Sequence, residues 1–146
     1  MTQNEKDLLL KDLCARLPYK VKVQDTYYKS LEPAPIWLLD LNAQCVRLFA
    51  DEGYQNIEYI KPYLFPLSSI SEDQKYDFYC RFIKNDCNFD DFNFYLHNGM
   101  WRLKLLTLTS LDGVEAIIDW FHKNHIDYRG LIPMGLALDA TGLNIY

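Results

Sequence analysis

Apolar positions in the opening segment recur at helical spacing. Leu9, Leu10, Leu13 and Leu17 share one face, while Lys6, Asp7, Lys11 and Asp12 are polar. Thr2 and Glu5 stand at capping-box spacing, which satisfies two of the amide donors a helix start leaves open. Pro18 ends the pattern. The spacing predicts a helix over 3–17.

The period then changes from 3.6 to 2. Val21 and Val23 alternate with Lys20, Lys22 and Gln24, the pattern of a half-buried strand over 19–26. Ser30–Pro35 reads as a loop. Ile36–Leu41, with Trp37, is an apolar run of central-strand type, and Asn42-Ala43 is a tight turn. In 44–49, Cys45, Arg47 and Phe49 fall on one face and Val46 and Leu48 on the other. Asp51-Glu52-Gly53 makes another turn before a short strand over 54–60. Lys61-Pro62 and Phe65-Pro66 are expected to break regular structure. These spacings describe a meander of short antiparallel strands, which a small SH3-like barrel is one way to close.

Ser71 and Gln74 form a second capping box, ahead of a helix over 72–84 with Tyr76, Tyr79, Phe82 and Ile83 on one side. Asn85–Asp91 is a polar loop. Phe92–Leu96 and Met100–Thr107 are expected to pair around His97-Asn98-Gly99, since Asn-Gly favours a two-residue hairpin turn. Ser110 caps a last helix with a stripe of Val114, Ile117, Ile118 and Phe121, ending at Asn124 or His125. A short helical turn over 128–134 follows. Gly135 permits a left-handed stop, and Leu136–Leu138 extends as strand or tail. The chain shows no internal repeat or linker, so a single domain over 1–146 is expected.

Composition narrows the function classes. The 146 residues suffice for a sizeable core, and 49% hydrophobic with 24% charged residues is ordinary for a globular protein. Aromatics reach 15%, a proportion that serves cores and interfaces alike. A net charge of −5 weighs against a general nucleic-acid binder, which needs cations to displace phosphate counterions. It also weighs against an anionic membrane surface. No apolar run reaches spanning length, and the polar, acidic N-terminus lacks the pattern of a signal peptide. A cytoplasmic location is expected. Cys14, Cys45, Cys80 and Cys87 form no Cys-x-x-Cys pair and read as isolated thiols.

Candidate chemistry gathers near the C-terminus. His122 and His125, three apart, could present two imidazoles on one side, with Asp119 and Asp127 near enough in sequence to add oxygen. Zinc requires three or four ligands, and this spacing matches none of its specific patterns, so a polar helix end is the favoured reading. Cys87 with His97 or His122 would make a nucleophile and base, but nothing in the spacing brings them together. Asp86, Asp90 and Asp91 lack the glycine and terminal glutamate of a calcium loop. No phosphate-binding glycine loop or nucleophile elbow occurs. Tyr128 and Arg129 offer a ring and a planar fork for a carboxylate or phosphate, set against local capping and pairing as the commoner use.

The run Asp119–Asp139, containing Asp-Trp-Phe-His-Lys-Asn-His-Ile-Asp-Tyr-Arg-Gly-Leu-Ile-Pro-Met-Gly-Leu-Ala-Leu, resembles the C-terminal segment of a family of uncharacterised small proteins from Bacteroidetes-type gut bacteria. Leu8–Tyr19 and Ile60–Ser69 are similar to the same family's opening and middle segments. Lys20 follows Tyr19 where a glycine is expected in relatives. The resemblance implies a bacterial, intracellular, single-domain protein, often accompanying prophages or other mobile elements. It carries over no catalytic residue.

The expectation is an α+β fold: N-terminal helix, small curled antiparallel sheet, middle helix, hairpin, and C-terminal helix with a structured tail. The expected role is a non-enzymatic interaction or accessory protein with a protein partner and no cofactor or metal. Its binding residues are expected among Tyr128, Arg129, His122 and His125. Two other classes stand beside it. One is a small metal-dependent or Cys/His enzyme. The other is a nucleic-acid-associated small barrel with Lys20, Lys22, Lys29 and Arg47 gathered on one side.

Overall fold

A computed structural model of the chain describes residues 1–28, 32–48, 53–83, 89, 94–97, 100–103 and 111–146. They form an α+β fold and divide into two compact units. One comprises Met1–Leu64 with Leu131–Tyr146, the other Phe65–Gly130. Among the described residues no helix is long and apolar enough to cross a membrane.

The first unit opens with α1 (Gln3–Arg16), started by the expected capping box. Thr2 Oγ1 accepts from the Glu5 amide at 3.3 Å, and Glu5 Oε2 accepts from the Thr2 amide at 2.6 Å. Pro18 lies in a short 3-10 turn, Leu17–Tyr19. Lys20 follows in the left-handed region at φ 54°. Glycine is the residue that adopts such a φ without steric cost.

Five strands follow: β1 (Lys22–Asp25), β2 (Ala34–Asp40), β3 (Cys45–Leu48), β4 (Tyr54–Asn56) and β5 (Ile60–Pro66). They pair antiparallel in the order β4-β3-β2-β1-β5. Near the C-terminus, β9 (Leu138–Asp139) pairs parallel with Tyr63 and Leu64 of β5. The sheet is therefore mixed, and it stays open instead of closing into the barrel its strand spacing allowed. Its inner face packs Val23, Ile36, Val46, Ile60 and Leu64 with Leu9, Leu10 and Leu13 of α1 in one core.

Two prolines expected to break the chain lie inside β5. The ladder geometry explains Pro62. Thr26 N–H donates to the Tyr59 carbonyl at 2.7 Å, which makes 26/59 a hydrogen-bonded pair. Alternation then leaves Val23/Pro62 a non-bonded pair, where a missing amide costs β1 nothing. Pro66 is the last residue of the strand.

The second unit contains α2 (Glu72–Phe82), the hairpin of β6 (Phe94–His97) and β7 (Met100–Leu103), α3 (Leu111–Lys123) and β8 (Ile126–Asp127). The Ser71/Gln74 capping box starts α2. β6 and β7 pair antiparallel, His97 with Met100, as expected of the hairpin; Asn98 and Gly99 lie outside the described residues. Phe65 and Pro66 pair parallel with Ile126 and Asp127. The core joins Leu67, Phe78, Ile83, Ile117, Trp120, Phe121 and Ile126. Trp120 meets Phe78 edge-on at 5.0 Å. Val114, expected in the buried stripe of α3, is exposed, while Trp120 takes a buried position instead.

Candidate functional site

The C-terminal cluster folds into a packed unit. His122 is buried, and its Nε2 shares a 2.9 Å hydrogen bond with the Tyr128 hydroxyl, its direction following the imidazole tautomer. The Tyr128 ring stacks on Phe121 at 5.4 Å and 20°. The Arg129 guanidinium lies 4.8 Å from the centroid of the same ring. The hydroxyl of Tyr128 and its ring surface are thus both engaged within the unit, a cation–π contact included.

His125 has a different task. It follows α3 at φ 54°, the left-handed position that commonly ends a helix and usually takes glycine. Its amide donates to the His122 carbonyl at 3.1 Å, and its own carbonyl accepts from Phe65 N–H at 2.9 Å. The backbone of His125 therefore ties the end of α3 to Phe65 of β5. Among the described residues, no group of three or more His, Cys, Asp or Glu side chains is placed to hold a metal ion. Cys87, Asp86, Asp90 and Asp91 lie outside the described residues, as does the side chain of His97. Cys14, Cys45 and Cys80 are free thiols, and burial pushes the Cys14 thiol up, away from its reactive form.

A second arrangement occupies the outer face of the first unit's sheet. Leu38 pairs with Arg47, and Arg47 with Tyr54, so these three side chains form one row across β2, β3 and β4. The register slips between Ile36 and Leu38, marking a β-bulge at Trp37. A bulge re-aims side chains: here both Trp37 and Leu38 face outward, 59% and 40% exposed, while Ile36 and Leu39 pack on the core. Tyr54 is 58% exposed and Leu41 is exposed at the adjoining turn. That turn is held by Asp40 Oδ1, which accepts from the amides of Asn42 and Ala43 at 3.0 and 2.9 Å.

Alternation also places Lys22 and Lys61 on the outer face. Lys22 Nζ donates to the Ile145 carbonyl at 2.5 Å. Among the described residues no carboxylate forms an ion pair with Lys22, Arg47 or Lys61. Of the nucleic-acid cluster considered from sequence, Lys22 and Arg47 share this face, Lys20 lies in the turn before β1, and Lys29 is outside the described residues.

Two polar devices support this sheet. Asp25 occupies an inner-face position, where Oδ1 accepts from the amides of Tyr27 and Tyr28 at 2.7 and 3.2 Å. The hydroxyl of Tyr146 enters the β1/β5 ladder. It accepts from Lys22 N–H at 3.1 Å and donates to the Tyr63 carbonyl at 2.7 Å, at the place where the next direct rung would form. Enclosure of this hydroxyl pushes its pKa up to about 12, against a smaller opposing effect of the Lys22 amide.

Sequence reasoning missed Trp37 and Leu38 because it read Ile36–Leu41 as an apolar run of central-strand type, and it missed Tyr54 because the pairing that sets it beside Arg47 is a matter of register. The grouping of Cys45, Arg47 and Phe49 opposite Val46 and Leu48 was the available signal, since it already separated Arg47 from the two residues that pack on the core. No family model matches this chain, and neither the curated proteins nor the solved structures contain a match to it.

Proposed function

We propose that this chain is a non-enzymatic interaction protein, and that its contact surface is the outer sheet face carrying Trp37, Leu38, Arg47 and Tyr54. The observation that carries the reading is the composition and exposure of that row. Trp, Tyr and Arg are the residues most enriched among energetic hot spots of protein interfaces, and here they converge with two leucines on adjacent strands. The region first favoured from sequence supports the reading less well. Tyr128 and His122 are engaged with each other, and Arg129 is placed over the Tyr128 ring. The resemblance is to uncharacterised small proteins that often accompany mobile elements, and it assigns no activity that competes with this role.

Affinity purification from the native host tests the proposal. A Trp37→Ala/Tyr54→Ala double variant is expected to lose the specific partner that the unaltered protein retains. Arg129→Ala is expected to keep it. A partner list unchanged in the double variant and depleted in Arg129→Ala would return the site to the C-terminal cluster.

A further inference from the structure

We infer that the partner of this face is an acidic, extended protein segment that adds as a strand along β4. The inference rests on the proposed interaction role and specifies the chemistry of its partner. Backbone geometry supplies the first argument. Ile57 N–H donates to the Gln44 carbonyl at 3.0 Å, so 44/57 is a hydrogen-bonded pair. Alternation makes 46/55 the next bonded pair and leaves 45/56 and 47/54 non-bonded. The main-chain N–H and C=O of Tyr54 and the N–H of Asn56 therefore point away from β3, while the Asn56 carbonyl caps the 3-10 turn Ile57–Tyr59. Among the described residues, no strand pairs with that side of β4. An extended segment satisfies such an edge with main-chain hydrogen bonds, while its alternate side chains are read on the sheet face.

Charge supplies the second argument. The whole chain carries −5, yet the outer face presents Lys22, Arg47 and Lys61 with no ion-paired carboxylate among the described residues. The one carboxylate in the Asp40–Cys45–Asn56 row has Oδ1 engaged with turn amides. A basic face on an acidic protein selects acidic partners by complementarity. Arg47 is central to this choice, because Leu38 and Tyr54 flank it across the strands. A carboxylate from the added segment, with apolar residues on either side of it, matches that row. Single-stranded nucleic acid would also meet cations and rings here. Leu38 and Leu41, however, offer neither charge nor a stacking plane.

Titration of the full chain with defined probes tests this, followed through the amides of Tyr54 and Asn56 and the indole of Trp37. The probes are a peptide of about ten residues alternating Glu and Leu, the same peptide with Lys for Glu, and an oligo-dT strand. The Glu peptide is expected to bind and shift those signals. Arg47→Gln is expected to weaken it about tenfold, and Arg47→Glu to turn the preference toward the Lys peptide. The native fold of each variant is checked from its undisturbed core methyl signals. The inference is overturned by equal binding of the two peptides, by no binding of the Glu peptide, by indifference to Arg47→Gln, or by preference for oligo-dT. Peptide shifts at Trp37 that ignore both Arg47 variants would remove the acidic partner and leave the contact surface standing. Shifts confined to other residues would remove both.

Discussion

Asp12 and Arg16 show how much a single residue can depend on its partner. Both side chains are fully buried in α1, and Arg16 Nε donates to Asp12 Oδ2 at 2.7 Å. Removing one member of a buried pair strands the other, typically at a cost of about 3–5 kcal/mol, whereas an apolar replacement of both is far milder. Arg16→Met is therefore expected to lower unfolding free energy in urea by about 3 kcal/mol or more, and Asp12→Leu/Arg16→Met to recover much of that loss. A double variant no more stable than the single one would contradict the assignment. The sequence showed Asp12 only as a polar position, because helical spacing cannot distinguish a solvated carboxylate from one folded back on an arginine one turn later.

Tyr146 gives a pH signature at the same scale. Its pKa is pushed from an ordinary 10 to about 12 in the folded chain, so folding favours the neutral phenol. The stability it contributes is complete below pH 10 and is lost as pH rises towards 12. Tyr146→Phe is expected to cost about 1 kcal/mol at neutral pH. The gap between the two proteins should narrow across that alkaline window in parallel denaturant titrations. Lys20 offers the opposite sign. A non-glycine residue in the left-handed region is strained, and Lys20→Gly is expected to raise stability by up to about 1 kcal/mol.

At the scale of elements, α2 and α3 are clasped by one polar contact within an aromatic core. Trp120 Nε1 donates to Asp77 Oδ2 at 2.8 Å, while Arg81 Nε donates to Asp77 Oδ1 at 2.7 Å. The Trp120 hydrogen bond, followed by that of Arg81, holds the Asp77 carboxyl below its usual range. Its stabilisation is present above the ordinary carboxylate pKa and fades as pH falls through the lowered one. Trp120→Phe is expected to cost about 1 kcal/mol at neutral pH and to flatten part of the acid limb of the stability profile. An acid limb identical in both proteins would contradict the clasp.

The elements themselves were unevenly legible. Helices over 3–17 and 72–84 were readable from their capping boxes, and in α1 the apolar spacing agrees with the packing. In α2 the stripe read from spacing included Tyr76, which is exposed, and omitted Phe78, which is fully buried. Val21 and Val23 announced β1, and Asn98-Gly99 announced the β6–β7 hairpin. Pro62 and Pro66 misled, since a proline's effect depends on which way its missing amide would point, and register decides that. The two-residue strand β8 carries no local signal, because its pairing is parallel and long-range along the chain, whereas β9 begins in the 136–138 segment read as strand or tail. The bulge that turns Trp37 outward is equally a property of register.

For the whole molecule, the candidate site shifts from the residues that look chemically conspicuous to those left on an open face. His122, Tyr128 and Arg129 stand out in the sequence, and the structure gives them internal partners. Trp37, Arg47 and Tyr54 are scattered through the sequence, and strand pairing assembles them. The proposal that this face is the contact surface is tested most directly by photo-crosslinking in the native host. A photoreactive side chain is placed at residue 37 in one protein and at exposed Val114 of α3 in another. The account predicts a discrete protein adduct from position 37, abolished by Tyr54→Ala, and none from position 114. Adducts from position 114 alone would contradict it.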